Sequence, residues 1–237
     1  MTTNFSIANF LRGDFHLARS GILYGVGNSL QRLVGVCLLP IYSEYISPDE
    51  FGVIGLLVVL PLILVPLFSL GLSSSISICY FNVETPAERN TVMASSIFIT
   101  TVSAFCLTIV SAPLIDVISD LVIWSSHFGE YVAVIILTVS FTVLLLPLQL
   151  EQQFQSQPVS YFVVSLLGAG VTSFVGLYTI LVLEVGGIGI LISNLSGQMM
   201  IWFSLTILRR CKNIVLRLPS KKFGKELIFK GAQVLPS

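Results

Sequence analysis

Six long apolar runs dominate the chain, at roughly 21–43, 52–79, 91–113, 131–150, 159–183 and 186–208. Each reaches the roughly 20 residues that a helix needs to cross a hydrocarbon core. None shows the alternation of a barrel strand, which spans about 9–11 residues. The pattern therefore predicts an all-α integral membrane protein with a six-helix transmembrane bundle over 21–208. A polar segment, 1–20, precedes it, and residues 209–237 form a basic linker that runs into the start of a seventh helix. Two helix starts are sharply marked. Ser47-Pro48-Asp49-Glu50 and Thr85-Pro86-Ala87-Glu88 each offer an N-cap hydroxyl, Pro at the first helical position and Glu at the third. Such capping boxes satisfy backbone N–H groups that have no partner within the helix. The acidic residues there read as caps rather than as paired catalytic carboxylates. The first segment carries Asn4, Arg12, Asp14, His16 and Arg19, and no small-residue cleavage site follows the first run, so a removed signal peptide is not expected.

Composition narrows the class. Hydrophobic residues make up 54% and charged residues only 10% of 237, against about 25% charged in soluble domains. So little charge cannot coat a water-exposed surface of this size. An ordinary soluble enzyme, a disordered chain and a nucleic-acid binder are excluded, the last also by a net charge of zero. The placement of the cations gives the orientation. With the N-terminus inside, the inner segments hold Arg12, Arg19, Arg89 and eight Lys or Arg between 209 and 230, while the outer loops hold none. The outer loops carry Glu44, Asp49, Glu50, Asp116, Asp120, Glu130 and Glu184 instead. This positive-inside asymmetry places both ends of the bundle in the cytoplasm. The run 209–230 reads as a solvated topology anchor, with binding of anionic lipid headgroups as the sharper alternative.

One cation, Arg32, falls inside a span. Gly21, Gly25, Asn28, Arg32 and Gly35 follow one another at steps of four and three and share a helical face about 80° wide. A lipid-facing Arg at mid-depth costs about 2.5–3.5 kcal/mol on insertion scales, so this face is expected to turn inward. Two readings fit. Arg32 could fork onto phosphate oxygens of an anionic headgroup, with Asn28 and Gln31 in support. It could equally form a buried ion pair or bond a carbonyl. In the sixth span Asn194 and Gln198 lie one turn apart and could bond sugar hydroxyls or act as interhelical glue. Ser165, Gly168, Thr172, Gly176 and Thr179 form a small-residue stripe that reads as helix packing. Pro61, Pro66 and Pro147 interrupt spans two and four, as static kinks or as broken helices beside a site. The fourth span ends in Gln149, Glu151, Gln152, Gln153, Gln155 and Gln157, read as a solvated helix end or, alternatively, a gate. Asp116 and Asp120 read as rim charges. Cys37, Cys79, Cys106 and Cys211 are isolated thiols without metal-type spacing. Phosphate-loop, dinucleotide, zinc-protease and nucleophile-elbow motifs are absent, so neither an enzyme activity, a cofactor nor a metal is expected.

The order of features also carries a resemblance. Leu39-Pro40-Ile41-Tyr42 is followed by Ile46-Ser47-Pro48-Asp49-Glu50-Phe51-Gly52-Val53 and then by Ser69-Leu70-Gly71-Leu72-Ser73-Ser74-Ser75-Ile76. This resembles the polysaccharide biosynthesis proteins, the O-antigen flippases and exporters of the multidrug/oligosaccharidyl-lipid/polysaccharide (MATE-like) superfamily. The match is sharpest over residues 20–80. The resemblance implies one six-helix half of a 12–14-helix transporter that moves a polyprenyl-pyrophosphate-linked oligosaccharide by alternating access, for surface polysaccharides such as lipopolysaccharide. It implies Arg32 as the residue that holds the pyrophosphate, although spans two to six show no second cavity cation. The implied partners are that lipid-linked substrate, the bilayer and other polysaccharide-assembly membrane proteins. A multidrug exporter of the same superfamily is the nearest alternative, and its cavity would favour carboxylates. A membrane-embedded glycan polymerase or transferase is another, and would call for a large outer loop with Arg or paired carboxylates.

Overall fold

A computed structural model describes residues 22, 25–27, 29, 33–69, 71–123, 128–155, 157–211, 223–224, 227 and 229–230. Among them the chain is helical apart from short turns, and no strand occurs. In chain order the helices are α1 (Leu33–Tyr45), then α2 (Pro48–Leu57), α3 (Val59–Ser69), α4 (Leu72–Asn82), α5 (Pro86–Ser111), α6 (Ile115–Ile123), α7 (Gly129–Phe154), α8 (Pro158–Leu181) and α9 (Ile188–Cys211). Five helical stretches among these residues are long and apolar enough to cross a membrane, and the shorter apolar α1 accompanies them. Large side chains such as Leu62, Ile109 and Phe174 are exposed on the outside of the bundle. In water they would be a liability; in a bilayer they face acyl chains. The chain is an all-α, multi-pass membrane protein.

Both marked helix starts cap as the sequence predicts. Glu50 N–H donates to the Ser47 hydroxyl, and Glu88 N–H to the Thr85 hydroxyl, each at 3.3 Å. The second run differs from the single helix expected over 52–79. It breaks first between α2 and α3 at Val58. Pro61 lies three residues further on; it has no N–H for the Leu57 carbonyl, and its ring crowds that carbonyl. It breaks again at Gly71, whose φ of 65° is left-handed, a conformation open to glycine at no steric cost. The interrupted backbone recovers its partners from side chains: Ser103 of α5 donates to the Phe68 carbonyl, and Ser75 to the Gly71 carbonyl at 3.2 Å. The third run is longer than 91–113. It continues through a 3-10 turn at Ala112–Leu114 into α6, giving an apolar helical stretch Pro86–Asp120. Much of the outer connection expected over 114–130 is thus helix, and Asp116 and Asp120 stand exposed on it.

α7 is the central helix, touching α3, α4, α5, α6, α8 and α9. Its buried stripe of Val132, Ile135, Ile136, Val139 and Val143 packs with Val53, Ile54, Leu57, Leu107 and Leu191. Thr108 of α5 and Ser140 of α7 add an interhelical hydroxyl pair at 2.9 Å. The small-residue stripe of α8 is buried against α9, as the sequence predicts. A Cβ at Gly197 would strike the Thr172 hydroxyl and come within 3.2 Å of the Gly168 carbonyl. The two backbones therefore approach as closely as side-chain-free positions allow. Replacing Gly197 by Val should push α8 and α9 apart and cost about 1–3 kcal/mol, the usual penalty for overpacking. Gly52→Ala, where a Cβ meets nothing within 4 Å, should be near neutral. Thermal unfolding of the two variants in detergent would check the contrast.

Candidate functional site

The bundle has two charged ends with a cavity between them. At one end lie the starts of α2 and α7 and the α8–α9 turn. Tyr131 donates its hydroxyl to Glu50 Oε1 at 3.2 Å, and the Gly187 N–H donates to Glu50 Oε2 at 3.3 Å. Glu50 therefore does more than complete a cap: its side chain joins three elements. The turn is shaped for this contact, since Gly186 has φ of 68° and a Cβ there would lie 2.9 Å from both Glu50 oxygens. The left-handed turn brings the next N–H to the carboxylate.

Below this clamp, α1, α2, α8 and α9 enclose a cavity of about 270 Å³. Its walls are mostly apolar, with Val34, Leu38, Leu39, Phe51, Ile54, Val58 and Ile190 among the lining side chains. Gly35 and Gly55 also line it, and a Cβ at either would meet nothing within 4 Å, so they keep its α1 and α2 walls open. Two of its four polar side chains are committed elsewhere, and a third is packed against α8. Thr172 donates to the Gly168 carbonyl at 3.0 Å and Ser193 to the Ile190 carbonyl at 2.7 Å. The Tyr42 hydroxyl is wedged against Gly176. Asn194 is exposed and hydrogen-bonds to no other described residue, which leaves its amide available to a ligand. An amide carries both donors and an acceptor, the complement of a sugar hydroxyl.

The expected site residues divide accordingly. Asn194 lines the cavity, together with Gly35 from the glycine face of the first span. Gln198 is half-buried one turn further along α9 and is not in the lining. Arg32, Asn28 and Gln31 lie outside the described residues, as does Gly21. Gly25 is exposed with open space around it. The first span touches α8 instead through Gly27, where a Cβ would come within 3.1 Å of the Tyr161 ring. Among the described residues no cluster of His, Cys, Asp or Glu could hold a metal ion.

The opposite end corrects two expectations. The Gln-rich end of α7 is solvated only in part: Gln153 is exposed, but Glu151 and Gln152 are buried. The start of the basic run is likewise divided, because Arg210 is exposed while Arg209 is buried with its Nε 3.5 Å from Glu151 Oε2. Two opposite charges thus face each other out of water, and neither sequence segment alone shows that the last turns of α7 and α9 meet. Gln155 donates to the other Glu151 oxygen at 3.4 Å. Tyr80 stacks on Phe154 at 4.7 Å, and the Arg89 guanidinium sits 5.3 Å above the Tyr80 ring. Further along the basic run, Leu227 is wholly buried against Leu72, Ile76, Tyr80 and Val92, so that part of the run docks on α4 and α5.

A model of the polysaccharide biosynthesis protein family matches residues 17–237. The chain belongs to this family. No curated protein and no solved structure matches it. Membership makes the chain a membrane protein of polysaccharide assembly, and in the cavity open volume, glycine walls and an available amide coincide. In this family member the Glu50 clamp fixes the turn ahead of α9 and hence the register of Asn194. Tyr131→Phe should lower stability by about 1 kcal/mol, and Glu50→Ala, which strips two bonds from a carboxylate, by about 1.5–3 kcal/mol. Thermal midpoints in detergent would test this order.

Proposed function

We propose that this chain moves a lipid-linked oligosaccharide, a polyprenyl-pyrophosphate glycan such as an O-antigen unit, across the cell membrane by alternating access, as a transporter rather than an enzyme. One observation supports the reading above others: in a member of the polysaccharide biosynthesis protein family, Gly35 of the first span and Asn194 of α9 line the same cavity. Arg32, three residues before Gly35 in the sequence, supplies the cation for the pyrophosphate in this proposal. The apolar walls suit the lipid-proximal part of the substrate, and Asn194 bonds its first hydroxyls. Asn28, Gln31 and Gln198 support these contacts. The multidrug alternative is disfavoured by the lining, which includes no carboxylate among the described residues. The basic end, with Arg89, Arg209 and Arg210, faces the cytoplasm on this reading, and the Glu50 end faces outward.

The test is complementation of a cell that lacks its own flippase. Arg32→Ala should abolish surface polysaccharide, and Arg32→Lys, which keeps the charge but not the fork, should restore part of it. Asn194→Leu should reduce export roughly tenfold at unchanged protein level, because a site built to bond a hydroxyl loses its partner. Undiminished polysaccharide with Arg32→Ala would refute the headgroup role.

A further inference from the structure

The Glu151–Arg209 pair has features that a permanent structural tie would lack. The two side chains are only 3% and 7% exposed. Taking both charges out of water is costly, and the cost is recovered only when geometry is good and the remaining donors are bonded. Here the recovery is partial. The Arg209 Nε lies in ion-pair range of Glu151 without forming a hydrogen bond, and its Nη2 is buried with no acceptor among the described residues. The neighbouring Arg210 is exposed, so Arg209 is the one of the two that turns inward. Next to the pair lies a dry layer of Leu145, Leu148, Ile201 and Leu205, all buried. The layer and the pair together close the basic end of α7 and α9. At the other end Glu50 accepts two hydrogen bonds, and Gly176 and Gly189 let α8 and α9 interlock tightly. The cavity lies toward that firmly held end, while the end held by an undersatisfied ion pair is shut.

We propose that Glu151 and Arg209 form a latch that holds the basic end of the bundle closed while the cavity is open, and that their separation opens that end. Parting hydrates both charges and gives Arg209 the acceptors it lacks, so the open and closed forms stay close in free energy, as a switching element requires. The direction of the motion rests on the transporter reading above; the latch itself is read without any substrate.

The test uses the whole chain in membrane vesicles, with Cys37, Cys79, Cys106 and Cys211 replaced by Ser and a single reporter cysteine added. Leu205→Cys reports the basic end and Asn194→Cys the cavity. The probe is a membrane-impermeant sulfonated maleimide applied from either face. Glu151→Gln, which preserves shape, and Arg209→Gln should each raise labelling at position 205 by about tenfold or more and lower it at position 194. Unchanged labelling at 205 in both variants, with protein inserted and monodisperse, would overturn the latch. So would a rise at both positions, which marks general loosening. If Arg209→Gln fails to insert, Glu151→Gln carries the same comparison. Because no glycan takes part, a negative complementation result with Arg32→Ala would leave this measurement unaffected.

Discussion

Hydrocarbon offers no hydrogen-bond partners, and this constraint shapes the whole bundle. Every backbone N–H and C=O at depth must be satisfied within the protein, so the chain is helical wherever it can be. The exceptions show the rule operating. At Gly71 the helical ladder stops, and Ser103 of α5 and Ser75 of α4 donate to the Phe68 and Gly71 carbonyls beside the break. This break and the one at Val58 lie in the segment that walls the cavity on one side and the basic-end core on the other. A continuous helix over 52–79 would have needed no such partners, but it would also have run straight past both.

Because apolar side chains gain little by leaving lipid for each other, specificity between helices comes from close backbone approach and from a few polar bonds. The small-residue stripe of α8 provides the first, with Gly197 and Gly176 at points where even a methyl group would collide. Glu50, Tyr131 and Gly187 provide the second at one end, and Glu151 with Arg209 at the other. With only 24 charged residues in the chain, a buried one is conspicuous. Here the buried charges join elements that are far apart in the sequence.

Much of this architecture was legible in the residues. Apolar run lengths gave the class and most of the spans, the two Ser/Thr-Pro-x-Glu signals gave helix starts, and the α8 stripe gave a packing face. What stayed hidden was tertiary. The Gln-rich end of α7 looks solvated in sequence because composition reports polarity and not neighbours. Only the meeting of the α7 and α9 termini makes Glu151 and Arg209 a buried pair. Glu50 likewise reads as a cap, and its second task depends on a left-handed turn at Gly186 more than a hundred residues away. Of the candidate site, the sequence pointed to Asn194 and to the glycine face, and the fold puts Asn194 and Gly35 in one cavity. Gln198 shared a predicted face with Asn194, but the cavity ends within one helical turn of it.

The two ends of the bundle therefore differ in kind, and the difference bears on how a cavity within it could change its access. At the Glu50 end the carboxylate is met by a phenol and a backbone N–H, and the helices around it meet at glycines, so separation would break several satisfied contacts at once. At the Glu151 end the ion pair is long, and Arg209 Nη2 is buried without an acceptor among the described residues, so separation there would exchange an imperfect contact for hydration. On the proposed latch, the basic end is the one that opens, with the Glu50 clamp as the fixed side of the movement.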